Sequence, residues 1–441
     1  MAIMELSQTS TKVELATADV YKKVIWRILP FMFIAYVVNQ LDRMNISFAK
    51  LRFMSDLGLS ETAYGLGAGL FFIGYVVFEV PSNLYLQKAG ARATFIRIMI
   101  LWGALSMAMA LVQTPMQLYI ARFLLGAAEA GFVPGVILYL TYWFPAAYRG
   151  RISSLFFMAI AFSGICGGPL SGWILRSFDG LANLKDWQWL FIVEGAPAVI
   201  LGVIAYVWLD DKPEDAKWLS AEEKATIAND LRSANTNKQS HGSAQSTFKL
   251  ALRDYRVYVA ALAYFSVIAG NNVLTLWIPT IISGFGIKDV FHIGLLSSIP
   301  FCLGALGMFV IARHSDKKQE RRWHTALSIM VTGVSYIILG YYLHDPVIAM
   351  LLLSVAAVGT YAAISVFWTI PPTYLTGNAA AGGIALVSSI GMFGGFFSPI
   401  IMGYAKAAFG SLQMGFWAIA MVLIAGSLAL LIGIPKRTMQ P

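Results

Sequence analysis

Charge is what this chain has least of. Only 12% of its 441 residues are Asp, Glu, Lys or Arg, and 58% are hydrophobic. Soluble domains carry about 25% charged residues, so a soluble fold is excluded and a membrane-embedded one indicated. Cysteine is nearly absent. Cys166 and Cys302 both fall in apolar runs, which excludes a disulfide framework and a cysteine metal centre. The five histidines (His241, His292, His314, His324, His344) lie in loops or at the ends of apolar runs, leaving none for a proton relay at depth. No phosphate-cradling glycine motif occurs, which speaks against ATP drive and against any nucleotide cofactor. No nucleophile–base pair or metal cluster sits in the apolar runs, so the chain does not read as an enzyme. The polar stretch from Met1 to about Lys23 has no short apolar core with a small-residue cleavage site, so no cleaved leader is expected.

Apolar runs long enough to span a bilayer recur twelve times. They lie near 24–47, 62–86, 94–112, 116–141, 150–174, 188–209, 256–283, 290–312, 323–342, 347–370, 380–406 and 411–434. Of 32 lysines and arginines, 24 fall in or beside segments on the side of the amino terminus, and 6 on the other side. The remaining two are Arg43 and Arg122. This bias places both termini in the cytoplasm. It also accounts for the net charge of +9 without a nucleic-acid partner; the bilayer is the partner. Gly74 and Arg92 are 18 residues apart, as are Gly304 and Arg322, with Asp316, Lys317 and Arg321 inside the second interval. Six spans therefore repeat, as in transporters built from two bundles. The expected organisation is a tail (1–23), a six-helix bundle (24–209), a cytoplasmic linker (210–255), a second bundle (256–434) and a tail (435–441). In the linker, Ser220 and Glu223 have the spacing of a capping box opening a short helix.

Within the fourth run stands Arg122-Phe123-Leu124-Leu125-Gly126-Ala127-Ala128-Glu129-Ala130-Gly131-Phe132-Val133-Pro134-Gly135. A charge at this depth costs roughly 2.5–3.5 kcal/mol on insertion scales, so it is kept where it meets a partner or a wet cavity. On one continuous helix, Arg122 and Glu129 are two turns apart on the same face. Gly126, Ala130 and Gly131 leave neighbouring helices room for close approach. The first run contains Asn39, Asp42 and Asn45 at helical spacing, with Arg43 beside them. Glu194, in the sixth run behind Trp187 and Trp189, reads as a structural residue near the outer end. The second half differs. Its acids (Asp254, Asp289, Asp316, Glu320, Asp345) lie in loops or at run ends, and its membrane polar groups are neutral, Asn271 with Thr275 being the best cavity candidates.

Twelve spans, a central loop and paired inner turns resemble the major facilitator superfamily. Leu41-Asp42-Arg43-Met44-Asn45-Ile46-Ser47-Phe48-Ala49, the Arg122–Phe132 stretch and Tyr142-Trp143-Phe144-Pro145 resemble signatures of its anion:cation symporter family. Phe367-Trp368, and Leu375-Thr376-Gly377 through Ala381-Gly382-Gly383-Ile384-Ala385, resemble that family's tenth and eleventh spans. Within it the chain looks most like bacterial permeases for tartrate, phthalate and hydroxyphenylacetate.

That resemblance implies an all-α membrane fold with two six-helix bundles related by a pseudo-twofold axis, in a bacterial inner membrane. It implies a secondary transporter, without cofactor or metal and monomeric, that moves H+ and an organic carboxylate together by alternating access. Asp42 and Glu129 match the proton-coupling acids. Arg43 and Arg122 match the charge-pairing arginines, and Tyr75 matches a substrate contact. Asn271, Trp368 and Ser388 are further substrate-binding candidates. Gly90, Arg92, Asp316, Arg321 and Arg322 form the inner-gate motifs. Many relatives carry asparagines where this chain has Ser388 and Met392, which points toward a less hydroxylated or aromatic acid. The rival expectation is a proton-coupled efflux antiporter of the same fold.

Overall fold

The computed structural model describes residues 2–236, 252–374 and 378–434. Among them, twelve helices are long and apolar enough to cross a membrane. The first half comprises α1 (Ala2–Leu57), α2 (Glu61–Ala89), α3 (Ala91–Ala108), α4 (Pro115–Glu129), α5 (Phe132–Trp143), α6 (Ala146–Ser177) and α7 (Asp186–Trp208). After the linker helix α8 (Ala221–Thr236) come α9 (Tyr255–Ser283), α10 (Val290–Lys318), α11 (Arg322–Tyr341), α12 (Pro346–Phe367), α13 (Asn378–Phe409) and α14 (Gln413–Gly433). α4 and α5 together make one span. The amino-terminal tail is helical from Ala2 and continuous with the first span. The carboxy-terminal tail 435–441 and the Leu375–Gly377 motif lie outside the described residues.

Helix pairings in the first half recur in the second. α1 packs on α6 and α7, α2 on α4, and α3 on α7; correspondingly α9 packs on α13 and α14, α10 on α12, and α11 on α14. These are two six-helix bundles of one design. The 18-residue repeat has a geometric counterpart. The Arg92 guanidinium donates to the Tyr206 carbonyl at the end of α7, and Arg322 donates to the Leu431 carbonyl at the end of α14. Each arginine caps the last helix of its own bundle, where unpaired carbonyls need donors.

Between bundles, α6 meets α10 and α2 meets α13. Lipid is as apolar as leucine, so such helices associate by close packing of small residues. A methyl added at Gly69 would stand 2.7 Å from the Phe396 carbonyl oxygen, and one at Gly172 would stand 2.6 Å from that of Val290. Gly65 with Pro399, and Gly168 with Gly294, make the same approach. These contacts lie toward the outer ends of the helices, on the side with few basic residues. The Lys50 ammonium is 4% exposed and 2.7 Å from Glu61. It lies 3.7 Å over the ring of Trp277 and 4.6 Å over that of Tyr64. The Tyr64 hydroxyl donates to the Leu276 carbonyl at 3.2 Å, and Arg176 pairs with Asp289 at 3.5 Å. α1, α2 and α6 are thereby tied to α9 and α10, and the outer side is closed in this conformation.

Candidate functional site

The fourth span is broken where a single long helix was expected. Thr114 caps α4 by accepting from the Gln117 N–H, with Pro115 at its first turn. The helix ends at Glu129, because Ala130 turns to an extended ψ of 131° and Gly131 adopts φ +88°. Only glycine takes that φ without strain. Gly126 lies against the Phe71 carbonyl and Gly131 against the Ser82 side chain. The glycines of the motif thus bring α4 and α5 onto α2 and set Glu129 at the joint. Arg122 and Glu129 remain two turns apart within α4, as their spacing predicted, and the break comes just after Glu129.

Glu129 is fully buried and faces α1. Its Oε2 accepts from Asn39 Nδ2 at 2.7 Å and from Arg43 Nε at 2.8 Å. Asn39 and Arg43, four residues apart, share one face of α1. Asp42 turns elsewhere. Its Oδ1 accepts from Asn45 Nδ2 at 2.9 Å and from the Ser106 hydroxyl of α3. The single polar face expected of the first span is therefore two faces, one toward α4 and one toward α3. Asp42 is 0% exposed, so it is not a solvated residue at the mouth.

Arg122 is buried at 2% exposure, yet no ion pair joins it to a carboxylate among the described residues. Its guanidinium lies 4.8 Å from the centre of the Phe71 ring, which Arg43 also overlies at 5.2 Å. Arg122 Nε and Nη1 and Arg43 Nη2 have no hydrogen-bond acceptor among the described residues. Both arginines line a central cavity with Gln40, Phe71, Ser163, Asn271, Asn272, Thr275, Tyr361 and Met392. Three unpaired guanidinium nitrogens over an aromatic floor, with neutral amides and a phenol opposite, form a seat for an anion. Nε and Nη1 of Arg122 lie on different edges of the guanidinium, so each edge of the group has an open donor for an anion.

The other expected site residues fall variously. Tyr75 is buried beneath Arg43, whose guanidinium is 5.1 Å from its ring centre, and does not line the cavity. Trp368 packs its ring on Tyr264 at 4.7 Å, away from the cavity. Ser388 is half-buried on α13 and also lies outside the lining, whereas Met392 one turn on is part of it. Asn271 does face the cavity. Gly90 takes φ +89° at the α2–α3 turn, and the Arg92 backbone N–H donates to Asp211 at 2.9 Å. Asp211 thus holds the Arg92 backbone, while the guanidinium goes to the Tyr206 carbonyl. Arg321 pairs with Asp316 in the second-half turn. Gln40, Asn272 and Tyr361 are cavity residues that spacing alone did not single out.

Glu194, read as a structural residue of the sixth run, is buried inside the bundle. It is 3% exposed, and its Oε1 accepts from the Ser171 hydroxyl at 2.6 Å. It is an interior carboxylate. The sequence signal available was only that an acid occurred inside an apolar run.

A model of the Major Facilitator Superfamily matches residues 32–399. A putative metabolite transport protein, NicT, of Pseudomonas putida is 39% identical over 99% of both chains. A putative tartrate transporter of Agrobacterium vitis is 42% identical, covering 94% of this chain and 91% of its own. A quinolone resistance transporter of Acinetobacter baumannii is 42% identical over 92% of this chain and 93% of its own. Among solved structures, a D-xylose–proton symporter superposes with a TM-score of 0.75 at 15% identity, over 94% of this chain and 99% of that one. The fold, the twelve spans and these relatives agree: the chain is a multi-pass membrane transporter, not an enzyme, and belongs to the Major Facilitator Superfamily.

Proposed function

We propose that the protein is a proton-coupled symporter that takes up an organic carboxylate across a bacterial inner membrane as a monomer, driven by the proton gradient without a cofactor. The observation that carries this reading is the buried, unpaired guanidinium of Arg122 beside an Arg43 already held by Glu129. A substrate carboxylate docks on Arg122. At 4 Å and an effective dielectric of 20 that attraction is worth about 4 kcal/mol before desolvation. Protonation of Glu129 releases Arg43 as a second cation for the same ligand. Proton and anion thereby favour each other's binding, and the coupling is reciprocal. Asp42, on the far face of α1, is the second coupling acid. Relatives named as tartrate transporters support an organic-acid substrate. The Phe71 ring beneath the arginines and the apolar Met392 in the lining favour a less hydroxylated or aromatic acid.

The test is uptake of labelled phthalate, hydroxyphenylacetate, tartrate and galactonate into proteoliposomes under an inward-directed proton gradient. Accumulation of one acid that collapses with a protonophore is expected. Glu129→Gln should abolish gradient-driven accumulation of that acid; full accumulation by this variant would remove Glu129 from the coupling. The relative named for quinolone resistance favours a second reading, proton-coupled efflux. Expulsion of a cationic dye in exchange for protons, with no acid accumulated, would select it.

A further inference from the structure

On the lipid-facing surface of the second bundle, sharing no residue with the central cavity, a groove of about 350 Å³ runs between α10 and α11. Its floor is Val358 and Gly359 of α12. Its walls are Ile311 of α10 and the exposed stripe of Trp323, Leu327 and Val331 along one face of α11. Close contacts draw α12 in behind the other two helices. A methyl on Gly359 would stand 2.5 Å from Thr332 Oγ1, and one on Gly307 of α10 would stand 2.6 Å from Val358. Val331 lies nine residues in from Arg322, the first residue of α11, about 14 Å at 1.5 Å per residue. The hydrocarbon of one leaflet is about 15 Å, half of a bilayer core. The groove is therefore one leaflet deep, and its head is at the α10–α11 turn on the side rich in basic residues.

At that head the chemistry changes. His324 lines the groove; its Nδ1 is 2.9 Å from Glu320 Oε2, and its Nε2 is 2.7 Å from His314 Nδ1. A carboxylate only accepts, so His324 donates from Nδ1 and accepts from His314 at Nε2. Glu320 also accepts from the Trp323 and His324 backbone N–H groups. The start of α11 is thus already satisfied, and an anion arriving here must be held by side chains. Asp316, the other acid of the turn, is paired with Arg321, and Arg322 donates to the Leu431 carbonyl. That leaves Arg313, Lys317 and Lys318, exposed at the end of α10 and without a carboxylate partner among the described residues. Ile311, His314 and Lys318 follow one another a turn apart, so the groove wall leads to the cations. The internal repeat shows what is particular to this half. Five residues beyond Arg322 stands Leu327, whereas five beyond Arg92 stands Arg97. Arg97 reaches back to α2, donating to the Ser82 hydroxyl at 2.6 Å and lying over the Tyr85 ring.

We propose that this groove binds one anionic phospholipid of the cytoplasmic leaflet, an acyl chain lying along Leu327 and Val331 and the phosphate held by Lys317 and Lys318 beside His314. An ordinary lipid-facing surface does not combine a recessed floor, a depth of one leaflet and unpaired cations at the head. The apolar walls accept any acyl chain. The cations select the headgroup, because each basic residue near an anionic membrane surface strengthens binding about fivefold.

The test is native mass spectrometry of the purified full chain, titrated with phosphatidylglycerol or with phosphatidylcholine of the same acyl chains. The wild type should hold its first phosphatidylglycerol about thirtyfold more tightly than phosphatidylcholine, the effect of two basic residues. Lys317→Gln with Lys318→Gln should remove most of that preference and leave phosphatidylcholine unchanged. Leu327→Trp, which fills the groove, should weaken both lipids. Equal binding of the two lipids by the wild type would overturn the proposal, as would a preference that survives the lysine changes. Unchanged phosphatidylglycerol binding by Leu327→Trp would overturn the placement of the chain. Release of phosphatidylglycerol by inorganic phosphate at equal concentration would reassign the cations to a soluble anion. The two lysines are exposed, so their variant decides the matter even where Leu327→Trp fails to assemble. Detergent melting gives a second readout: phosphatidylglycerol should raise the melting temperature of the wild type and not that of the lysine variant.

Discussion

At the scale of the residue, the central asymmetry is that one buried arginine is neutralised and the other is not. Arg43 and Glu129 depend on each other. Removing one partner of a buried pair strands the other, at about 3–5 kcal/mol. Arg43→Met should therefore lower the detergent melting temperature sharply, and Arg43→Met with Glu129→Gln should recover most of the loss in a double-mutant cycle. Arg122 has no such partner to strand. Arg122→Lys should leave melting little changed and raise the KM for the transported acid about tenfold, equivalent to about 1.4 kcal/mol. These residues were legible because intramembrane charge is rare enough to identify itself. Their pairing was not. Spacing along α4 coupled Arg122 to Glu129, while the structure couples Glu129 to Arg43 across 86 residues of sequence. The partner of Glu194, Ser171, was not legible for a related reason, since depth along a helix does not reveal what the neighbouring helix presents.

At the scale of the element, glycines decide where chain can approach chain. Gly131 holds φ +88° at the α4–α5 joint with Ser82 against it. Gly131→Ala should destabilise by about 1–2 kcal/mol from the left-handed conformation alone, and more from the clash. Gly150, exposed in α6 with open space around it, is the control. Gly150→Ala should be neutral or stabilising by up to about 1 kcal/mol. Thermal melting of the two variants in one detergent separates them. The break in the fourth span had a signal that the apolar pattern masked: Pro134 cannot donate to the carbonyl of Ala130, and Gly131 supplies the turn. The linker helix was readable. Ser220 N–H donates to Glu223 at 2.7 Å, and Glu223 N–H donates back to the Ser220 hydroxyl at 3.1 Å. The Ser220 N–H first, and then Lys23 at 2.9 Å, hold the Glu223 carboxyl below its ordinary range. A depressed acid contributes stability above its unfolded value, about 4.3, and loses it as pH falls through the lower folded value. The protection of α8 amides relative to their intrinsic exchange rates should accordingly be high at neutral pH and fall under acid conditions, with Glu223→Gln removing most of that dependence.

At the scale of the whole molecule, the two bundles touch through backbone. The α2–α13 and α6–α10 seams are glycine against carbonyl, so parting them breaks few side-chain bonds. What holds the outer side shut is a small set of latches: Lys50 on Glu61, Trp277 and Tyr64, Tyr64 on the Leu276 carbonyl, and Arg176 on Asp289. Lys50→Met should shift the population toward an outward-open form, read as a longer distance between spin labels on the outer ends of α6 and α10. An unchanged distance distribution would show that the glycine seams alone keep the side closed. Bundle count, span number and repeat were all legible, because bilayer thickness and charge bias act on long stretches and tolerate local error. The state of the gate was not, because it depends on contacts between residues such as Lys50 and Trp277, which lie 227 positions apart.

The burial of Lys50 gives the protein a chemical clock. Its amine is shielded while the outer side is shut and meets solvent only when that side parts. The rate at which a small aldehyde and a mild hydride donor methylate Lys50 should then be set by the fraction of time spent open. Substrate, pH and inhibitors would each speed or slow that single modification. Mass spectrometry of one peptide could follow the conformational cycle in unlabelled membranes, without an engineered probe.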